Sequence, residues 1–348
     1  MISWLNDAIP SPSQSHLSRA QERQEQLTKP PGSLGRLESV AVRLASLLGE
    51  DRPTLERVRI VVFAADHGIA AAGISAFPQS VTVEMIKNFS RGGAAISVLA
   101  AELGAELEVV DVGAATDPGP LPGVISARCG AGTEDFRTAP AMTPEALQEA
   151  LEAGRAAVHR ARDAAVRFLI GGEMGIGNTT AAATLGAALT GASPTLLAGP
   201  GTGLDQLGVS HKAEVIQTAL NHHGEALERP MEALRRVGGF EIAALTGFYL
   251  AAAQAGIPVL VDGFIATSAA LAATRMREET AAWLFFGHRS LEPGHAVLLG
   301  AMNALPLLSL EMRLGEGSGA AVAIPVMRMA CALHNRMATF QEAAVSRG

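Results

Sequence analysis

Near the C-terminal end of the chain, Leu314-Gly315-Glu316-Gly317-Ser318-Gly319 sets one carboxylate among glycines, directly ahead of an apolar helical stretch. A glutamate flanked by glycines has no packing role that explains it. Two readings are open. Glu316 can compensate the positive end of the following helix, with Ser318 as its cap, an effect worth about 0.3–1 kcal/mol at an exposed site. It can equally be a general base carried on a loop of small residues that a flat substrate approaches closely. A second loop, Gly171-Gly172-Glu173-Met174-Gly175-Ile176-Gly177-Asn178-Thr179-Thr180, also opens a helix. Residues 172–179 nearly fit GxxxxGK[ST], but Asn178 stands where the phosphate-binding lysine belongs, which disfavours nucleoside triphosphate hydrolysis. So many glycines still suit one phosphate, held by backbone N–H groups and the helix N-terminus. The plainer alternative is a turn capped by Asn178 or Thr179.

Three further loops carry polar groups. Ala65-Asp66-His67-Gly68 ends an apolar run. Adjacent residues on an extended chain face opposite ways and do not easily share one ion, so a carboxylate fixing a loop backbone is favoured for Asp66. Gly199-Pro200-Gly201-Thr202-Gly203-Leu204-Asp205 precedes a helical stretch with Lys212 and lacks the GxGxxG spacing. Taken alone, Lys212 reads as a solvated surface lysine. Gly287-His288-Arg289-Ser290-Leu291-Glu292-Pro293-Gly294-His295 supplies donors for an anion, though a surface turn before a helix explains it equally well.

These loops need elements to position them. Short apolar runs predict strands at 58–64, 107–112, 124–129, 167–170, 259–261 and 283–286. Helical periodicity predicts helices at 79–89, 94–103, 144–164, 179–189, 210–220, 240–255, 265–275 and 318–337, with no strand assigned between 195 and 231. Such alternation implies parallel strands joined by crossover helices, an α/β fold with a layered, mostly parallel sheet flanked by helices. Ligands of such sheets sit beyond the carboxyl ends of the strands, where the loops above fall. Two helices are expected first, at 15–27 and 34–48, around the breaker Lys29-Pro30-Pro31-Gly32-Ser33. The stripe Leu37, Val40, Ala41, Leu44 and Leu48 must be buried on another part of the chain or on a partner subunit. The expected organisation is a small helical domain from residues 1–55 with 318–348, and an α/β domain over 56–317.

Composition narrows the classes. The chain has 348 residues, 48% of them hydrophobic, and a net charge of −7, so a sizeable core is available but no basic field for a nucleic-acid partner. Two cysteines, Cys129 and Cys331, cannot build a disulfide framework or a four-thiolate zinc site. The positive mean hydropathy of +0.24 comes largely from alanine. The longest apolar stretch, 242–261, is broken by Gly247, Gln254, Gly256 and Pro258, short of the about 20 uninterrupted residues a bilayer needs. Residues 1–10 lack a basic n-region and an apolar core, so no signal peptide is expected. The expectation is a soluble, cytoplasmic protein with no membrane partner.

In order along the chain, these loops resemble the nicotinate-nucleotide–dimethylbenzimidazole phosphoribosyltransferase family of cobalamin biosynthesis. The resemblance runs through TKPPGSLGRLE (28–38), AADHGIAAAGISAFPQ (64–79), NFSRGGAAISVLA (88–100), GGEMGIGNTT, GPGTGLD, VDGFIATSAA (261–270), HRSLEPGH and RLGEGSGAA. It implies transfer of phosphoribose from nicotinate mononucleotide to dimethylbenzimidazole, a homodimer, and neither cofactor nor metal. It also implies an α/β sheet domain with a small helical domain. The family's catalytic base falls on Glu316. Glu173 and Lys212 fall on active-site residues near the ribose or phosphate, and Gly175 and the Ser290 loop on the phosphate cradle. Gly177, Asn178, Thr179, Gly315 and Gly317 are carried over as substrate-binding, as are Ser80, Glu84 and Met85 for the base pocket. Met85 stands where relatives have a polar base-contacting residue, which opens the pocket to other benzimidazoles or purines. The implied chemistry is a single displacement with inversion, Glu316 taking the benzimidazole proton and Glu173 facing the positive charge on the sugar. A nicotinate mononucleotide hydrolase and a non-catalytic nucleotide-binding protein are the competing readings.

Overall fold

Six apolar runs pair into one parallel sheet in the computed structural model, which describes residues 2–346. The strands are β1 (Val58–Ala65), β2 (Glu106–Gly113), β3 (Val124–Ser126), β4 (Phe168–Met174), β5 (Val259–Val261) and β6 (Leu284–Phe286). Their order is β3-β2-β1-β4-β5-β6, and every neighbouring pair is parallel. Sequence order reverses between β1 and β4, and the carboxyl ends of that pair border the crevice where such sheets bind ligands.

Thirteen helices complete the described residues: α1 (Gln14–Gln26), α2 (Arg36–Leu48), α3 (Ser80–Ser90), α4 (Ala95–Leu103), α5 (Pro144–Asp163), α6 (Asn178–Thr190), α7 (Pro194–Leu197), α8 (Gln206–His223), α9 (Pro230–Val237), α10 (Phe240–Gln254), α11 (Phe264–Met276), α12 (Pro293–Ala301) and α13 (Ser318–Arg336). β1 is buried along its whole length, so both faces of the sheet are covered. Alternation along the strand sorts its side chains. Val61 and Phe63 pack in the core formed with α5, α6, α10 and α11, whereas Ile60 and Val62 pack in the core formed with α2, α4 and α13.

The stripe of α2 is buried within the chain, Val40, Ala41 and Leu44 sharing a cluster with Ile324 and Met327 of α13. The segment after α1 pairs with the segment after α13, through a Leu27–Thr339 bridge and a hydrogen bond from Thr28 N–H to the Ala338 carbonyl at 3.1 Å. Positions 1, 347 and 348 of the expected helical domain lie outside the described residues. The strand expected at 124–129 stops at Ser126. β3 is a half-exposed edge, and beyond it the ladder to β2 gives way to separate backbone bonds from Ala127, Cys129 and Gly132 and the Arg128–Asp111 ion pair. Three helices had no expected range, α7, α9 and α12, all opened by proline. Among the described residues no helix is long and apolar enough to cross a membrane.

Candidate active site

A cavity of about 400 Å³ lies at the carboxyl end of the sheet, bordered by the loops after β4 and β6, the turn before α13, and the α3 face carrying Val81 and Met85. Glu316 stands on its wall in a left-handed conformation, φ +64°, and is almost fully buried. Its backbone N–H donates to the Glu173 carbonyl at 3.2 Å, and its Oε2 accepts from Ile96 N–H at 3.1 Å. The turn presses against β4 at Gly172, where a Cβ would sit 2.4 Å from the Glu316 carbonyl oxygen. Only glycine permits that approach. Burial pushes the Glu316 carboxyl up, the Asp262 charge adds to the shift, and the Ile96 N–H opposes it. A carboxylate moved toward neutrality is a better proton acceptor at working pH.

Glu173 also faces the cavity, and its Oε2 accepts a hydrogen bond from the Asn178 amide. Complete burial, and then the charges of Glu241 and Asp262, hold this carboxyl well above its ordinary range. Asn178 is therefore spent on Glu173 rather than on capping. The N-cap of α6 is Gly177, φ +101°, with no side-chain cap, which corrects the expectation for Asn178 or Thr179. Ser318 likewise does not cap α13. Gly317 is the N-cap, and the Ser318 hydroxyl donates back to the Gly315 carbonyl at 2.7 Å.

A phosphoribosyltransferase family model matches residues 9–345 of this chain. A nicotinate-nucleotide–dimethylbenzimidazole phosphoribosyltransferase of Xanthomonas euvesicatoria is 60% identical over 343 residues, covering 99% of this chain and 98% of the relative. The chain belongs to this phosphoribosyltransferase family. A relative of the same name from Pseudomonas putida is 56% identical over 99% of the chain and 98% of its own length. Two Thermus thermophilus crystal structures superpose closely. The structure under the same enzyme name has a TM-score of 0.91 at 44% identity, and one described as CobT has 0.92 at 46%. They cover 97% and 96% of this chain, and the match spans all of each.

Within the family's motifs, the structure brings Glu316, Glu173, Gly175, Asn178, Thr179, Ser290, Gly315 and Met85 to one cavity wall. Ser80, Glu84, Gly177, Gly317 and Lys212 do not border it. Glu84 is exposed, because the cavity face of α3 is the one bearing Val81 and Met85, one turn apart. Lys212 is fully buried behind the loops, against the solvated reading, and donates to the Gly199 carbonyl at 2.9 Å and the Thr179 hydroxyl at 3.3 Å. Burial lowers its ammonium to about 8, with Glu292 opposing. It reaches the cavity only through Thr179.

The Ser290 loop offers less backbone than its composition suggests. Arg289 N–H donates to the Leu308 carbonyl at 2.7 Å, Leu291 N–H to the Met312 carbonyl at 3.0 Å, and Ser290 N–H to His295 Nδ1 at 2.9 Å. Burial lowers His295 to about 3, so its ring is neutral and can accept. What Ser290 presents to an anion is its hydroxyl. Sequence reasoning singled out the loops holding Arg313, Glu292, His288 and His67 without assigning these side chains to the site, and it missed Glu241, the partner of His67. Arg313 donates to the Gly201 carbonyl at 2.9 Å and Glu292 accepts from Gly201 N–H at 2.9 Å, so both grip the 199–203 loop. His67 and Glu241 are completely buried, 2.8 Å apart, beneath Gly175 and Gly177. Asp66 ties loops together, accepting from the Thr82 hydroxyl at 2.7 Å and Ala115 N–H at 2.8 Å. A polar residue two positions after a predicted strand was the available signal for His288.

Proposed function

We propose that this chain works as a cytoplasmic homodimer that transfers phosphoribose from nicotinate mononucleotide to dimethylbenzimidazole. The products are nicotinate and α-ribazole 5′-phosphate, in the nucleotide-loop step of cobalamin biosynthesis. The observation that carries the reading is one cavity bordered by both Glu316 and Glu173, in a family whose members are named for this transfer. The base lies against Val81, Met85 and Leu314, with Glu316 beside its N–H. One benzimidazole nitrogen attacks the anomeric carbon as the bond to the pyridinium nitrogen breaks. Nicotinate leaves without protonation, and Glu316 takes the proton from the second benzimidazole nitrogen. Attack opposite the leaving group inverts the anomeric centre, and no enzyme nucleophile is required.

Burial favours a neutral Glu173 in the empty cavity. An incoming pyridinium cation favours its carboxylate, which then faces the positive charge that grows on the sugar. The Arg313 guanidinium, the Ser290 and Thr179 hydroxyls and the uncapped N-terminus of α6 surround the position suited to the 5′-phosphate. The pocket wall at Met85 offers no hydrogen bond that would select one base, so related benzimidazoles or purines are expected as weaker acceptors. Incubation of purified protein with nicotinate mononucleotide, with and without dimethylbenzimidazole, tests the assignment. Nicotinate release that depends on the base is the expected result. Release without it indicates hydrolysis, and no release indicates a nucleotide-binding protein.

A further inference from the structure

Asp262, the residue directly after β5, is 2% exposed and takes no part in the chemistry above. Its Oδ1 accepts from Ala320 N–H at 2.8 Å, and the nearby N–H groups of Gly317 and Gly319 favour the charge of the same carboxylate. These are donors at the cap and first turn of α13, which no intrahelical carbonyl can satisfy and which Gly317, lacking a side chain, cannot cap. His288, at the end of β6, braces the group, with Nε2 3.7 Å from Asp262 Oδ1. Its ring also lies so close to the turn that a Cβ on Gly319 would sit 2.0 Å from Cδ2. On the opposite side the Glu316 peptide is held by the Glu173 carbonyl and wedged on Gly172. A non-glycine residue at φ +64° persists only where its surroundings over-determine it.

We propose that Asp262, braced by His288, is a positioning residue for the transfer, clamping the first turn of α13 so that the strained Glu316 turn presents its carboxylate to the cavity. The proposal rests on Glu316 being the proton acceptor. The clamp and the base share one turn, so losing the clamp displaces the base without removing a substrate contact. A misplacement of about 1 Å can cost on the order of 10²-fold in rate. The groups facing Glu316 are Asp262 from β5, Glu173 from β4, His288 from β6 and the Ile96 N–H of α4.

The test compares kcat, both KM values and the pH profile of kcat for Asp262→Asn, Asp262→Ala and Glu316→Gln, each per folded molecule. Asparagine keeps an acceptor for Ala320 but removes the charge. Asp262→Asn is expected to lower kcat by about tenfold to 10²-fold with little change in either KM. It should also move the acid limb of the profile to lower pH, because the Asp262 charge raises the Glu316 carboxyl. Asp262→Ala should be slower still, and if it fails to fold, the asparagine variant carries the test. Parental kcat and an unmoved acid limb in Asp262→Asn overturn the proposal, as does a lower melting temperature with parental kcat per folded molecule. Parental turnover in Glu316→Gln instead overturns the reading of Glu316, and this proposal with it.

Discussion

Two glutamates on one cavity have different work because their surroundings differ. Glu316 keeps one oxygen on the Ile96 N–H, whereas Glu173 accepts from the Asn178 amide and lies beside the charges of Glu241 and Asp262. As a general base Glu316 must be ionised, so kcat should fall as pH drops through its raised pKa, above the ordinary carboxylate range. Glu316→Gln keeps the size, removes the basicity and should lower kcat by about 10²–10⁴-fold. Near-parental turnover at saturating substrates would refute the assignment. Glu173 makes the opposite bargain with stability. Its folded-state pKa lies above the unfolded value, so its contribution is complete below that unfolded value and is lost as pH rises through the folded one. Melting temperature should therefore decline more steeply as pH rises above the ordinary glutamate range in the parent than in Glu173→Gln, whose neutral amide still accepts from Asn178. Parallel curves would show that Glu173 does not carry this linkage. The same variant should lose turnover, since an amide cannot face a sugar cation as a carboxylate does.

At the scale of elements, the sheet was legible because its strands are nearly continuous apolar runs, which burial on both faces demands. Five of the six strand expectations fall short of the observed strand at one or both ends or overrun it, the usual fate of boundaries set by pairing partners rather than by sequence. α7, α9 and α12 were hidden by their brevity, although proline at the first turn was a usable signal in all three. The site was legible only where a residue sits in a conspicuous loop. Glu316 and Glu173 announce themselves among glycines, but Asp262, Glu292 and Arg313 gain their meaning from loops distant in sequence that the fold brings beside them. One close contact was not legible at all. α5 and α10 cross so tightly that a Cβ on Gly154 would lie 1.9 Å from the Ala244 carbonyl oxygen, and one on Gly247 would lie 2.2 Å from that of Leu151. Gly154→Ala should destabilise by about 1–3 kcal/mol or more through overpacking, read as a lower denaturation midpoint. Because neither helix borders the cavity, kcat per folded molecule should stay parental; a selective loss of kcat would contradict this division between core and site.

For the whole molecule, the question is which apolar surface remains to be covered. The stripe of α2 does not require a second subunit, since α13 already buries Val40, Ala41 and Leu44. Of the exposed large apolar side chains, four fall on the stretch leading into the Glu316 turn: Leu291, Leu305, Leu310 and Leu314 are 54%, 75%, 53% and 59% exposed. Exposed apolar side chains concentrated in one segment point to a contact region, and two-fold pairing is the commonest closed assembly. The proposed homodimer is therefore expected to form through residues 291–314, not through α1 and α2. Leu305→Glu with Leu310→Glu should dissociate it, read by sedimentation at micromolar concentration. Removing residues 1–50 should act differently. It strips α1 and α2 from α13 and uncovers Ile324 and Met327, so solubility and melting temperature should fall and activity with them, although Glu316 and Glu173 remain. A double leucine variant that stays dimeric would move the interface away from this face. A truncated protein that stays soluble and fully active would show that the helices around α13 do not support the turn carrying Glu316.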